Sequence, residues 1–190
     1  SCTSYCSRKD VFNRSGKVYS QRVKVVKLNI LLADDDTDDC LFFEEALIGF
    51  QISTHLTTVN DGEQLMQLLA DEVNAQNNLP VLPDVLFLDI NMPRKNGKEC
   101  LAEIKLNNKL KYLPVIMFST SYEKEVVDKL YKHGAHYFIR KPPEFLVFKK
   151  VIQQTIALIA QELTKNRSVN ISQPKRDDFV LTVQNSLTST

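Results

Sequence analysis

Along the middle of the chain, short runs that are apolar at nearly every position alternate with stretches whose apolar residues recur at helical spacing. The first run, Leu28-Asn29-Ile30-Leu31-Leu32-Ala33, leads into Asp34-Asp35-Asp36-Thr37-Asp38-Asp39 and a helix-period stretch to about residue 47. A β-branched run at 52–59 predicts a second strand, and 61–74 predicts a helix with Leu65, Leu68 and Leu69 on one face. Strands at 85–88, 115–118 and 137–139 follow, each before a helix, at about 97–107, 123–133 and 144–163. Strands that are apolar on both faces, with helices between them, predict a parallel sheet covered on both sides. The expected fold is therefore α/β, a doubly wound five-stranded parallel sheet in the flavodoxin-like order 2-1-3-4-5. The polar stretch 74–83 predicts a long connection before the third strand.

Charge divides the chain more sharply than hydropathy does. The net charge is +1, yet residues 1–27 carry seven Lys/Arg against one Asp, and residues 28–163 carry 13 basic against 20 acidic side chains. An acidic domain at 28–163 is thus expected between a basic, disordered N-terminal arm at 1–27 and a C-terminal tail at 164–190. A basic arm suits a solvated tail better than a binding surface, and no nucleic acid or membrane partner is expected. No apolar run reaches the ~18 residues that span a bilayer. Cys2, Cys6, Cys40 and Cys100 show neither a CxxC pair nor metal-type spacing with the three histidines, which favours a reducing, cytoplasmic setting.

The chemistry collects at the strand ends. The first run ends in Asp34-Asp35, the third in Asp89, the fourth in Ser119-Thr120 and the fifth in Lys141. In open α/β sheets, sites form beyond the carboxyl ends of the strands where strand order reverses, here between the first and third. Three carboxylates gathered there repel one another, and an all-oxygen set without His or Cys suits Mg²⁺. A hard cation, a lysine and a hydroxyl are the parts that neutralise a transferring phosphoryl group. Asp89, alone at a central strand end, is the candidate nucleophile for an acyl phosphate. Asp36, Asp38 and Asp39 read instead as acids capping a helix N-terminus.

Four segments, taken together, resemble the receiver domain of two-component response regulators across about 28–163. They are Ile30-Leu31-Leu32-Ala33-Asp34-Asp35, Leu88-Asp89-Ile90-Asn91-Met92-Pro93 with Gly97, Leu113-Pro114-Val115-Ile116-Met117-Phe118-Ser119-Thr120, and Lys141-Pro142. The resemblance implies that Asp89 accepts phosphate from a histidine kinase or phosphotransfer protein. It implies Mg²⁺ held by Asp35, Asp89 and the Asn91 carbonyl, with Asp34 acting through water. Lys141 would pair with the phosphate, Ser119 would hold one of its oxygens, and Phe138 would be the aromatic of a conformational switch. A cis bond before Pro142 and an influence of Ser121 on dephosphorylation are implied as well. The long 74–83 connection is similar to that of the small phytochrome-associated response regulators.

The expected role is a single-domain phosphorylation switch or relay that catalyses only its own phosphorylation and dephosphorylation. A Mg²⁺-dependent phosphohydrolase would need a second acid near Asp89 and a substrate cap. An adaptor that is never phosphorylated would have lost some of Asp34, Asp35, Asp89, Ser119 and Lys141. His55, His133 and His136 read as surface or satisfied residues. On the last helix, Val147, Val151 and Leu158 widen the apolar stripe of Phe145, Phe148, Ile152, Ile156, Ile159 and Leu163 beyond what one sheet face needs. A homodimer through this helix is the expected cover, with Phe179-Val180-Leu181 of the tail as the alternative.

Overall fold

The computed structural model describes residues 7–12, 18–23, 27–74, 82–165 and 171–182. Strands β1 (Ser7–Phe12) and β2 (Val18–Val23) pair antiparallel, with Ser7 opposite Val23 and Phe12 opposite Val18. The arm, expected to be without structure, thus carries two paired strands. Its basic composition masked the β-favouring Val11, Phe12, Val18, Tyr19 and Val23.

The principal sheet begins with β3 (Leu28–Ala33), which is followed by α1 (Thr37–Leu47), β4 (Thr54–Val59) and α2 (Gly62–Asn74). Then come β5 (Val85–Leu88), α3 (Gly97–Leu106), β6 (Val115–Ser119), α4 (Lys124–Lys132), β7 (Tyr137–Arg140) and α5 (Phe145–Lys165). The order is β4-β3-β5-β6-β7, the expected 2-1-3-4-5, with β8 (Val180–Leu181) added beyond β7. Every pair in this sheet is parallel. The long 74–83 connection falls largely outside the described residues.

Alternation along the strands builds two half-cores. Leu86 and Leu88 of β5, with Leu31 and Met117, meet Leu65, Leu69, Cys100 and Ile104 on one face. Val85 and Phe87, with Ile30 and Ile116, meet Phe43 of α1 and Phe148, Ile152 and Ile156 of α5 on the other. The Phe43 ring stands edge-on to Phe87 at 4.9 Å, and Phe118 edge-on to Phe148 at 5.4 Å. Both faces of the central strands are buried, which is why those strands read as unbroken apolar runs. Among the described residues no helix is long and apolar enough to cross a membrane.

The tail does more than the sequence suggests. A 3-10 turn at Arg176–Asp178 turns Phe179 into the core, where it is fully buried beside Tyr131 at 5.2 Å. Val180 and Leu181 then pair with Phe138 and Ile139. Gln173 donates to the Tyr131 and Ala135 carbonyls, both at 2.7 Å, and Arg176 binds Asp128 of α4. Leu181 joins the apolar cluster that holds Val151 and Leu158 of α5, so the folded-back tail packs on part of the second stripe, while Val147 lines a groove left between α5 and the tail. Two residues are too short a strand for periodicity to reveal. No cis peptide bond occurs among the described residues, so the bond before Pro142 is trans rather than cis.

Candidate functional site

Three strand ends and one loop bring the chemistry together. Asp34 leaves β3, its backbone N–H bonded to the Val59 carbonyl at 3.0 Å. Its side chain accepts from the Asp36 N–H at 3.2 Å, and Asp36 caps α1 by accepting from Asp38 and Asp39. Asp89 leaves β5, its N–H bonded to the Ala33 carbonyl at 2.9 Å and its Oδ2 accepting from the Asn91 N–H at 2.5 Å. Lys141 leaves β7 with its N–H on the Ser119 carbonyl at 2.8 Å. A glycine is required under this loop. A Cβ on Gly97 would stand 2.0 Å from the Asp89 carbonyl oxygen.

Lys141 joins the acids. Its Nζ lies 2.6 Å from Asp34 Oδ2, 2.9 Å from Asp39 Oδ2 and 3.0 Å from Asp89 Oδ1. Burial alone would lower this ammonium, but the charges of Asp34 and Asp89 and the hydrogen bonds it donates to Asp34 and Asp39 outweigh it and hold the group above its ordinary value. Asp34 is pushed up to about 6, because burial exceeds what the Lys141 charge returns and Asp89 adds repulsion. Lys141 therefore stays a cation, and Asp34 remains short of positive charge.

A cleft of about 440 Å³ opens over this cluster, lined by Asp34, Asp35, Asp39, Asp89, Asn91, Thr120 and Lys141 among others. All its candidate ligands are oxygens, and the under-compensated Asp34 is what a divalent cation would relieve. The donor set fits such an ion. Among the described residues no three carboxylates close on one point, and Lys141 is paired with both Asp34 and Asp89.

Most sequence-predicted residues meet at this cleft; two stand apart. Ser119 is fully buried, its hydroxyl accepting from the Ser121 N–H at 3.4 Å, while Thr120 reaches the cleft. Phe138 is also fully buried, with Tyr122 tilted against it at 5.9 Å. Asp39, read as a helix-capping acid, proves to be a partner of Lys141. The signal that would have found it is a lysine 102 residues away. Cys40 lies near, but burial and then the Asp34 charge push its thiol up to about 11, which leaves it a poor nucleophile. His55 and His133 are exposed, and His136 is buried with both ring nitrogens bonded.

A parallel α/β sheet that gathers acids and a lysine at its carboxyl edge carries the groups that chemistry on a phosphoryl group needs. Residues 30–153 match the family model of the response regulator receiver domain, and the chain belongs to that family. It is 32% identical over 124 residues to the response regulator Rcp1 of Synechocystis, covering 65% of this chain and 83% of that protein. The structure of the phosphorylated cyanobacterial phytochrome response regulator RcpA superposes with a TM-score of 0.62 at 28% identity, over 75% of this chain and 97% of that one. The Mn²⁺-bound form of Rcp1 superposes with a TM-score of 0.61 at 27% identity, over 77% and 99%. The chain is therefore a receiver domain of the two-component kind, and phosphoryl acceptance is the general function of that family.

Proposed function

We infer that Asp89 is the phosphoacceptor and that the donor is the phosphohistidine of a kinase or phosphotransfer protein. The observation that carries this is the Lys141 ammonium, held between Asp34 and Asp89 from three separate strands at one sheet edge. An Asp89 carboxylate oxygen attacks phosphorus, the P–N bond breaks, and its electron pair returns to the imidazole ring. Lys141 turns from Asp89 toward the new phosphoryl oxygens while Asp34 and Asp39 keep it in the cleft. Asp35, Asp89 and the Asn91 carbonyl would hold Mg²⁺, with Asp34 acting through water; that ion supplies charge neutralisation for the phosphoryl oxygens. Thr120 lines the cleft and carries a second hydroxyl at its rim. Ser119 supplies the buried one, which a phosphoryl group would draw toward it.

The site acts on its own carboxylate, so turnover is confined to phosphorylation and dephosphorylation of this chain. The output runs along β7, because the Phe138 N–H is bonded to the Phe179 carbonyl at 2.9 Å. Incubation with acetyl phosphate and Mg²⁺, followed by intact mass, tests the assignment. Wild type should gain one phosphate, and Asp89→Asn none. An Asp89→Asn protein phosphorylated to full stoichiometry sinks it.

A further inference from the structure

The loop that carries Asn91 is clamped from outside the cleft. Its turn is centred on Arg94, the single non-glycine residue with positive φ (62°) among the described residues, and the Lys95 N–H reaches back to the Pro93 carbonyl at 2.7 Å. Such backbone is strained for a side-chain-bearing residue and persists where its surroundings hold it. Two contacts hold it here. The Lys95 carbonyl presses on Gly62, where a Cβ would stand 2.1 Å away. The Arg94 guanidinium binds Asp61 Oδ2, while Glu63 lies 4.0 Å from Arg94 Nε.

Asp61 is the unusual partner. Its side chain is fully buried, Oδ1 accepts from the Gln64 N–H at 2.8 Å at the start of α2, and Oδ2 has no hydrogen-bonding neighbour apart from that guanidinium contact. A carboxylate enclosed in this way needs a counter-charge, and the chain supplies one from the loop three residues beyond Asn91. The pair therefore ties the β4–α2 corner to the β5–α3 loop, and neither residue lines the cleft.

We propose that Arg94 and Asp61 form a positioning pair that fixes the Asn91 main chain for the divalent ion of the cleft. The proposal rests on the reading of that cleft given above. Neither residue touches the ion; the pair sets the loop, as outer partners of metal ligands commonly do, with a typical effect of 10–100-fold on affinity. A purely structural role makes a different forecast. If Arg94 only neutralised a buried charge, removing both charges would restore everything.

Isothermal titration with Mg²⁺ separates the two, alongside urea midpoints for each protein. Arg94→Ala should bind Mg²⁺ about tenfold more weakly, and Arg94→Lys should recover most of that loss. Phosphorylation of Arg94→Ala by acetyl phosphate should approach the wild-type rate once Mg²⁺ is saturating. The double variant Arg94→Ala, Asp61→Asn should regain the urea midpoint lost by Arg94→Ala while keeping its weak Mg²⁺ binding. Wild-type affinity in Arg94→Ala, or in the double variant, overturns the proposal. Absence of Mg²⁺ binding by wild type overturns the reading of the cleft itself, and the proposal with it.

Discussion

Mild acid should weaken this domain through one histidine remote from the cleft. His136 lies buried just before β7, with Nδ1 accepting from the Val115 N–H at 3.2 Å and Nε2 paired with the Ile171 carbonyl at 3.1 Å. These partners fix the neutral tautomer protonated at Nε2. A second proton on Nδ1 would set donor against donor near the Lys105 ammonium, itself bonded to the Lys111 and Leu113 carbonyls. Burial first, and then Lys105, lower His136 from 6.5 to about 4, against a smaller opposite effect of the Ile171 carbonyl. The unfolded chain takes up its proton near pH 6.5. Between 6.5 and 4 it binds more protons than the folded chain, so stability rises with pH across that window and falls as pH falls. The contribution is complete above about 6.5, and linkage puts the loss between pH 7.5 and 5 at about 2 kcal/mol.

Asp34, shifted upward, works in the other direction, since its folded form holds the proton more tightly. A raw pH profile mixes the two effects. His136→Gln separates them, because its amide oxygen can accept from Val115 and its NH₂ can donate to Ile171 without titrating. Urea midpoints at pH 7.5 and 5 should drop further for wild type than for His136→Gln, by the equivalent of about 2 kcal/mol. Equal drops in the two proteins would refute the reasoning.

Phe179→Ala removes a fully buried ring and should cost about 3–5 kcal/mol in urea denaturation, as for core phenylalanines generally; a change under 1 kcal/mol would mean the tail docks without stabilising. Loosening the tail in this way should also expose the Val147 and Val151 stripe, so light scattering should show a larger dimer fraction for Phe179→Ala than for wild type. A monomer in both, with or without beryllofluoride, removes self-association through α5.

How far the sequence could be read depended on the range of the signal. Asp34, Asp35, Asp89 and Lys141 were legible because each ends an apolar run, and strand direction then places them on one edge. Asn91 came with the same loop. Asp39 was not legible, because an N-cap acid and two acids in the first helical turn share a sufficient local explanation, helix capping, and the lysine that distinguishes one of them is remote. The hydroxyls differ for a similar reason. Successive residues leaving β6 point to opposite sides, so Ser119 is buried and Thr120 is exposed, a distinction that composition does not carry. The clamp on the Asn91 loop lies further out of reach: Asp61-Gly62 and Pro93-Arg94 each look like ordinary turn signals until the fold brings them together.

The added strand at the sheet edge has a consequence for synthesis. Everything needed for β3 through α5 has emerged by Lys165, whereas the partner of β7 arrives only with Val180 and Leu181. At ~5–20 residues per second, the β7 edge and the seat of Phe179 stay open for about 1–3 s on the ribosome. Collapse of the nascent domain is far faster than that. Each molecule therefore passes through an early life with an unpaired, apolar flank, in which a crowded polysome offers neighbouring chains the place that its own Val180 and Leu181 later take.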